Sequence, residues 1–149
     1  MTVSRRHLAL VYTLLGVLAL VFTFSHITEY VGRGFADATA AFWTEGLTGG
    51  TGAKQFLVVD LMFFAFAANI WMLFEARRLR IPFVWAYVIG GVLVAISLTF
   101  PLFLAARERR LANVGEPRAE LVRQDVPGLG LLSLGSVGAI IVSMGWIAP

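Results

Sequence analysis

The chain of 149 residues contains no cysteine, and only 14% of its residues are charged. The first absence excludes disulfides, thiolate metal sites and cysteine nucleophiles. The second sets it apart from soluble domains, which carry about 25% charged and roughly 45–50% apolar residues. Here 58% are hydrophobic and the mean hydropathy is +0.81. A soluble enzyme, a nucleic-acid binder and a disordered chain are excluded together. The net charge of +3 and pI near 10.0 come from basic residues that flank long apolar runs, as membrane-edge charges do. Also lacking are a phosphate-binding glycine loop, a nucleophile elbow, an HExxH helix and any defensible quinone or haem ligand pattern. Catalytic residues, metal ligands and cofactors are therefore expected to be none.

What is present is four apolar runs. A bilayer core is about 30 Å thick and a helix rises about 1.5 Å per residue, so about 20 apolar residues cross it. The first run, Leu8 to Ser25, extends to Thr28 and follows Arg5 and Arg6; it lacks a clear small-x-small cleavage site and reads as a retained helix. The second is Phe56 to Phe74, containing Asp60 and Asn69. The third, Ile81 to Ala106, has 26 residues and must tilt, kink or protrude. Pro101 near its end removes a hydrogen bond to Ser97 and is the expected kink. The fourth, Val126 to Pro149, is uncharged and rich in Gly and Ser. Barrel strands would alternate, and these runs are continuous. The expectation is an all-α bundle of four transmembrane helices, about 8–28, 56–74, 81–106 and 126–148, in one membrane domain.

Between the first two spans, residues 29–55 read as an extramembrane connector, with Phe35, Phe42 and Trp43 suited to the interface and a Gly-rich approach at residues 46–52. Residues 107–125 read as a charge-mixed surface segment. Orientation is contested. With the N-terminus inside, the inner side holds five arginines (Arg5, Arg6, Arg77, Arg78, Arg80) and the outer side seven basic residues. The first helix usually dominates, and Arg5 with Arg6 outweigh Arg33, so both termini are placed in the cytoplasm of a cell whose inner membrane holds the protein.

Asp60 is the most informative residue. Beginning the second span after it would leave only 14 residues before Glu75, about 21 Å of helix and too short to cross. A carboxylate inside the span should face protein and have a partner. Four straight crossings gather His26, Glu29, Asp60, Arg107 and Glu108 on one side, and place Glu75, Arg77 and Arg78 on the opposite face. Asp60 with Arg107, His26 and Glu108 is thus the candidate intramembrane polar cluster, Arg107 being the expected partner. Asp60, Phe64, Ala67, Trp71 and Glu75 form one helical stripe, more in keeping with a packed face than a conduction path. His26 with Glu29 supplies two ligands, which do not make a zinc site; His26 reads as a hydrogen-bonded interfacial residue. Small residues mark helix contacts: Gly91 and Ala95 in the third span, and Gly135, Ala139 and Ser143 in the fourth.

From Lys54 to Leu111 the chain resembles the bacterial membrane family DUF2834, a domain of unknown function. The matching features are Asp60-Leu61 in an apolar run, Glu75-Ala76-Arg77-Arg78-Leu79, Trp85 with Tyr87, Pro101-Leu102-Phe103-Leu104, and Arg107-Glu108. The resemblance covers about 58 residues and makes 54–111 a family-like core hairpin. Members are similar in having about three predicted helices, so 126–149 is an extra C-terminal helix; Ala76 stands where the family commonly has glycine. The resemblance implies a small integral membrane protein with no assigned activity.

Three functions stay open: a non-enzymatic accessory or scaffold subunit, a small proton- or cation-coupled transporter using Asp60, and a membrane enzyme protonating an isoprenoid from carboxylates at one face. The partners implied are the lipid bilayer and either another membrane protein or a second copy of the chain, with no nucleic acid.

Overall fold

The computed structural model describes residues 4–24, 32–48, 50, 52–115, 123 and 125–143. These residues form five helices: α1 (Arg5–Phe24), α2 (Phe35–Thr48), α3 (Gly52–Leu79), α4 (Val84–Asn113) and α5 (Asp125–Ser143). Three are long and apolar enough to cross a membrane: α1, residues Phe56–Leu79 of α3, and α4. Of the expected fourth span, 126–148, the described part is α5, with an apolar stretch over Asp125–Ile141, and residues 144–149 lie outside the described residues.

Within the expected connector, residues 35–48 fold into α2. Gly34, at φ +77°, lets its carbonyl accept from the Ala38 N–H at 2.9 Å, and Asp37 meets the positive end of the helix. Thr39, Thr44 and Thr48 turn their hydroxyls back onto carbonyls four residues earlier, so their polar groups do not compete with the helix.

α3 stops in a Schellman turn. The Ile81 N–H donates to Ala76 O at 2.9 Å and the Arg80 N–H to Arg77 O at 3.4 Å, with Arg80 left-handed at φ 52°. Pro82 cannot continue the helix. Phe83, also left-handed at φ 58°, turns the chain into α4.

The main departure from expectation lies within α4, which is not a straight rod. Residues 91–95 wind as a π turn, Ala95 is extended at φ −169° and ψ 132°, and helical geometry resumes at Ile96. There the chain doubles back. The Tyr87 and Phe103 rings lie 5.6 Å apart between centroids, although 16 residues of straight helix would separate them by about 24 Å. A Cβ on Gly91 would stand 3.0 Å from Thr99 Oγ1, and one on Gly90 would stand 3.2 Å from Thr99 Cγ2, so the glycines are what let the limbs close. The buried Thr99 hydroxyl donates to Ala95 O at 3.3 Å, satisfying a carbonyl at the break. Pro101, the expected kink, lies inside the returning limb Ile96–Asn113, which stays helical through it.

The returning limb is the centre of the fold. α1 packs antiparallel along it in the most extensive contact among the described helices. Gly16 makes that approach close, since a Cβ there would meet Leu98 O at 3.1 Å and Pro101 Cβ at 3.5 Å. α3, by contrast, runs parallel to this limb: Phe64 meets Phe100, and Trp71 meets Phe100 and Phe103, all edge to face. The core comprises Met72, Ala76, Leu79, Ile81, Val84, Phe103 and Leu111, toward the end of the bundle where α3 stops. Outside it, large apolar side chains face outward, among them Phe63 at 73% and Phe74 at 75% exposed. Lipid, rather than water, is the solvent that tolerates such a surface.

Candidate functional site: an arginine–glutamate cluster

Because α4 doubles back, the first turn of α1 and the last turns of α3 and α4 meet at one end of the bundle. Five charged side chains from these turns alternate in sign. The Arg5 Nη1–H donates to Glu108 Oε2 at 2.9 Å, and the Arg107 Nη1–H to Glu108 Oε1 at 2.7 Å. Arg107 also donates through Nε to Glu75 Oε1 at 2.6 Å. Arg78 grips Glu75 with two hydrogen bonds, Nε to Oε2 and Nη2 to Oε1, each 2.8 Å. The side chains of Arg5, Glu75 and Glu108 are nearly buried, at 10%, 10% and 6% exposure. Burial of this kind is tolerable because both oxygens of both carboxylates accept charge-assisted bonds. The Arg107 guanidinium carbon also lies 5.7 Å from the centre of the Trp71 ring, a cation–π distance. Arg110 Nε–H donates to Leu79 O at 2.9 Å and so caps the carbonyl end of α3.

This arrangement joins three chain segments distant in sequence. It offers little to acid–base chemistry, since every carboxylate oxygen in it is held by a guanidinium.

The geometry corrects the cluster expected from four straight crossings. Arg107 and Glu108 stand with Glu75 and Arg78, which had been assigned to the opposite face; Arg77, adjacent in the last turn of α3, is exposed at the same end. Asp60 is 15 residues before Glu75, about 22 Å along α3, and therefore does not meet Arg107. It is exposed and makes no ion pair with a described residue. The physical reason lies in the span limits. With Glu75 neutralised, the apolar stretch runs on to Leu79, and Asp60 then stands about 28 Å from that boundary, near the opposite edge. His26 lies outside the described residues, as does the side chain of Ser143.

The stripe on α3 does face the returning limb at Phe64, Trp71 and Glu75. Of the small residues, Gly91 is packed inside the hairpin, and Ala95 is its turning point. Gly135 has nothing within 4 Å of a Cβ, and Ala139 is exposed. Arg5, Arg110 and the Trp71–Arg107 contact were not among the expected site residues. The one sequence signal for the reversal is the pair Gly90-Gly91, a turn dipeptide inside an apolar run.

Long apolar helices with outward-facing hydrophobic side chains, bolted at one end by buried ion pairs, define a multi-pass membrane protein. Residues 11–109 match the family described as Protein of unknown function DUF2834, and the chain belongs to that family. The match takes in α1 as well as the stretch from α3 to α4. No curated protein and no solved structure matches the chain.

Proposed function

We propose that the protein is a non-enzymatic accessory subunit of the cytoplasmic (inner) membrane, with the arginine–glutamate end facing the cytoplasm and α5 as the element offered to a partner helix. The observation that supports the accessory role is the openness of α5 toward the other described residues over most of its length. It is apolar, its described side chains are exposed from Asp125 to Ala139, and Cβ atoms at Gly128, Gly130, Gly135 and Gly138 would meet nothing within 4 Å. Small, open surfaces of this kind let a second helix approach closely in lipid. A second copy of this chain or another membrane protein fits equally well.

The orientation rests on charge. Eight arginines, Arg5, Arg6, Arg77, Arg78, Arg80, Arg107, Arg109 and Arg110, lie in the helix turns at the clustered end, against Arg33 and Lys54 toward the other. The doubled-back α4 removes the near balance that straight crossings impose, and the positive-inside bias then favours a cytoplasmic cluster. In this arrangement α4 is re-entrant and returns Asn113 to the cytoplasmic side. A crossing by α5 would then carry the C-terminus outward, so the cytoplasmic C-terminus expected from four crossings is not retained.

The chain has no cysteine, so single introduced cysteines test the proposal cleanly. Thr48→Cys should react with an impermeant maleimide in intact cells, and Asn113→Cys only after permeabilisation. External labelling of Asn113→Cys would overturn the orientation. Gly135→Cys should form a disulfide-linked adduct in the membrane, with itself or with a defined subunit. Its complete resistance to crosslinking, alongside unaltered behaviour of Gly135→Leu, would remove the support for the accessory role.

A carrier that uses Asp60 is the second reading, favoured because that carboxylate is exposed on a span and lies outside the cluster. A pH-gradient-driven flux in proteoliposomes that Asp60→Asn abolishes would establish it in place of the first. For isoprenoid protonation, Glu75 and Glu108 are poorly suited, as both are fully engaged by arginine.

A further inference from the structure

At the clustered end the two limbs of α4 do not close completely. Between residues 81–87 and 106–113 they leave a groove of about 390 Å³ whose walls include Ile81, Phe83, Tyr87, Ala106, Arg109 and Arg110. Its composition is divided: one part is aliphatic and aromatic, the other carries two guanidinium groups. Arg110 spends its Nε on Leu79 O. Arg109 is exposed and makes no ion pair with a described acidic group. Phe83 is 83% exposed and Trp85 55% exposed beside it, aromatic residues of the kind that sit at headgroup level.

The charge of this end is far from balanced. In the described helix turns that meet there, eight arginines stand with Glu75 and Glu108, and those two glutamates are already held by Arg5, Arg78 and Arg107. Arg6, Arg77, Arg80 and Arg109 therefore make a positive rim with no described carboxylate against it.

We infer that the groove is a binding site for an anionic phospholipid, with the phosphate at Arg109 and Arg110 and the upper acyl chain over Ile81, Phe83 and Tyr87. The divided lining selects this occupant. A free phosphate has no use for the apolar wall, and a zwitterionic lipid gains nothing from the excess positive charge. Basic pockets between membrane helices at the headgroup level are suited to such lipids. The inference needs the chain to be embedded in a membrane but does not depend on the accessory role or on α5.

Native mass spectrometry of the full chain, titrated in detergent with phosphatidylglycerol or with phosphatidylcholine of the same acyl chains, tests it. Phosphatidylglycerol should bind more tightly. Arg109→Gln should weaken its first binding step about fivefold, the effect of one guanidinium near an anionic surface, and Arg109→Lys should largely restore it. Arg33→Gln, at the other end, should leave it unchanged. Ala106→Trp, which fills the groove without touching a charge, should also lower it and covers the case in which an Arg109 variant folds poorly. Equal binding of the two lipids would overturn the assignment. So would an Arg33→Gln loss matching that of Arg109→Gln, which would indicate diffuse attraction. Displacement of phosphatidylglycerol by millimolar inorganic phosphate would equally refute a lipid as the occupant.

Discussion

Gly90→Cys combined with Thr99→Cys would place the only two thiols of the chain on opposite limbs of α4. In the structure a Cβ at position 90 stands 3.2 Å from Thr99 Cγ2, so the two Cβ atoms fall within bridging range. In a straight helix, nine residues of rise would hold them about 13.5 Å apart, and a disulfide needs Cα atoms closer than about 7 Å. The alternatives are therefore far apart. Mild oxidation in isolated membranes should convert the double variant to a form that no longer takes up maleimide, migrates as a monomer, and regains both thiols on reduction. Ser97→Cys with Ala106→Cys, spaced identically but within the returning limb, should keep both thiols free. Closing a loop of about ten residues constrains the unfolded chain by roughly 2–3 kcal/mol. At roughly 2–4 °C per kcal/mol for a chain of this size, the oxidised protein should melt about 5–10 °C above the reduced one. Two thiols that stay reactive in folded protein under conditions that oxidise a known close pair would refute the hairpin, and with it the placement of Arg107 beside Glu75.

The cluster makes its own prediction: Glu108→Gln should lower stability by about 3–5 kcal/mol, because Arg5 would be left nearly buried without this carboxylate. Adding Arg5→Gln should recover roughly 0.5–3 kcal/mol relative to the summed singles, and additive melting shifts would dissolve the pair. Gly16→Leu should cost roughly 1–3 kcal/mol by forcing α1 off the Leu98 carbonyl, whereas Gly135→Leu should leave the melting of the isolated chain unchanged; equal shifts would contradict the two environments. Asp60→Asn and Arg107→Gln should be additive in the same assay, since no contact joins them, and a coupling above about 0.5 kcal/mol would restore the pair expected from straight crossings.

Much of this was legible from local properties of the chain. Continuous apolar runs around residues 8–24, 56–74 and 84–106 determined that helices form there, because in lipid an unpaired backbone amide is costly and a helix satisfies its own. The seven-and-four spacing of Phe64, Trp71 and Glu75 determined which face of α3 packs, because those positions share one side of any helix. The composition determined the solvent. None of these inferences needs to know where a distant segment goes.

The site depended on such knowledge. Whether Arg107 meets Asp60 or Glu75 turns on the direction in which residues 96–113 run, and nothing in their periodicity encodes direction. Ala95 can be helical or extended. It is extended here where Gly90 and Gly91 admit Thr99, where Tyr87 and Trp71 close on Phe103, and where α1 lies along the returning limb at Gly16. Those contacts join residues that are distant in sequence, so only the assembled tertiary structure sums them. A single reversal then moves Arg107, Glu108, Arg109 and Arg110 to the end that holds Arg5 and Glu75, and turns a near balance of charge into a one-sided one.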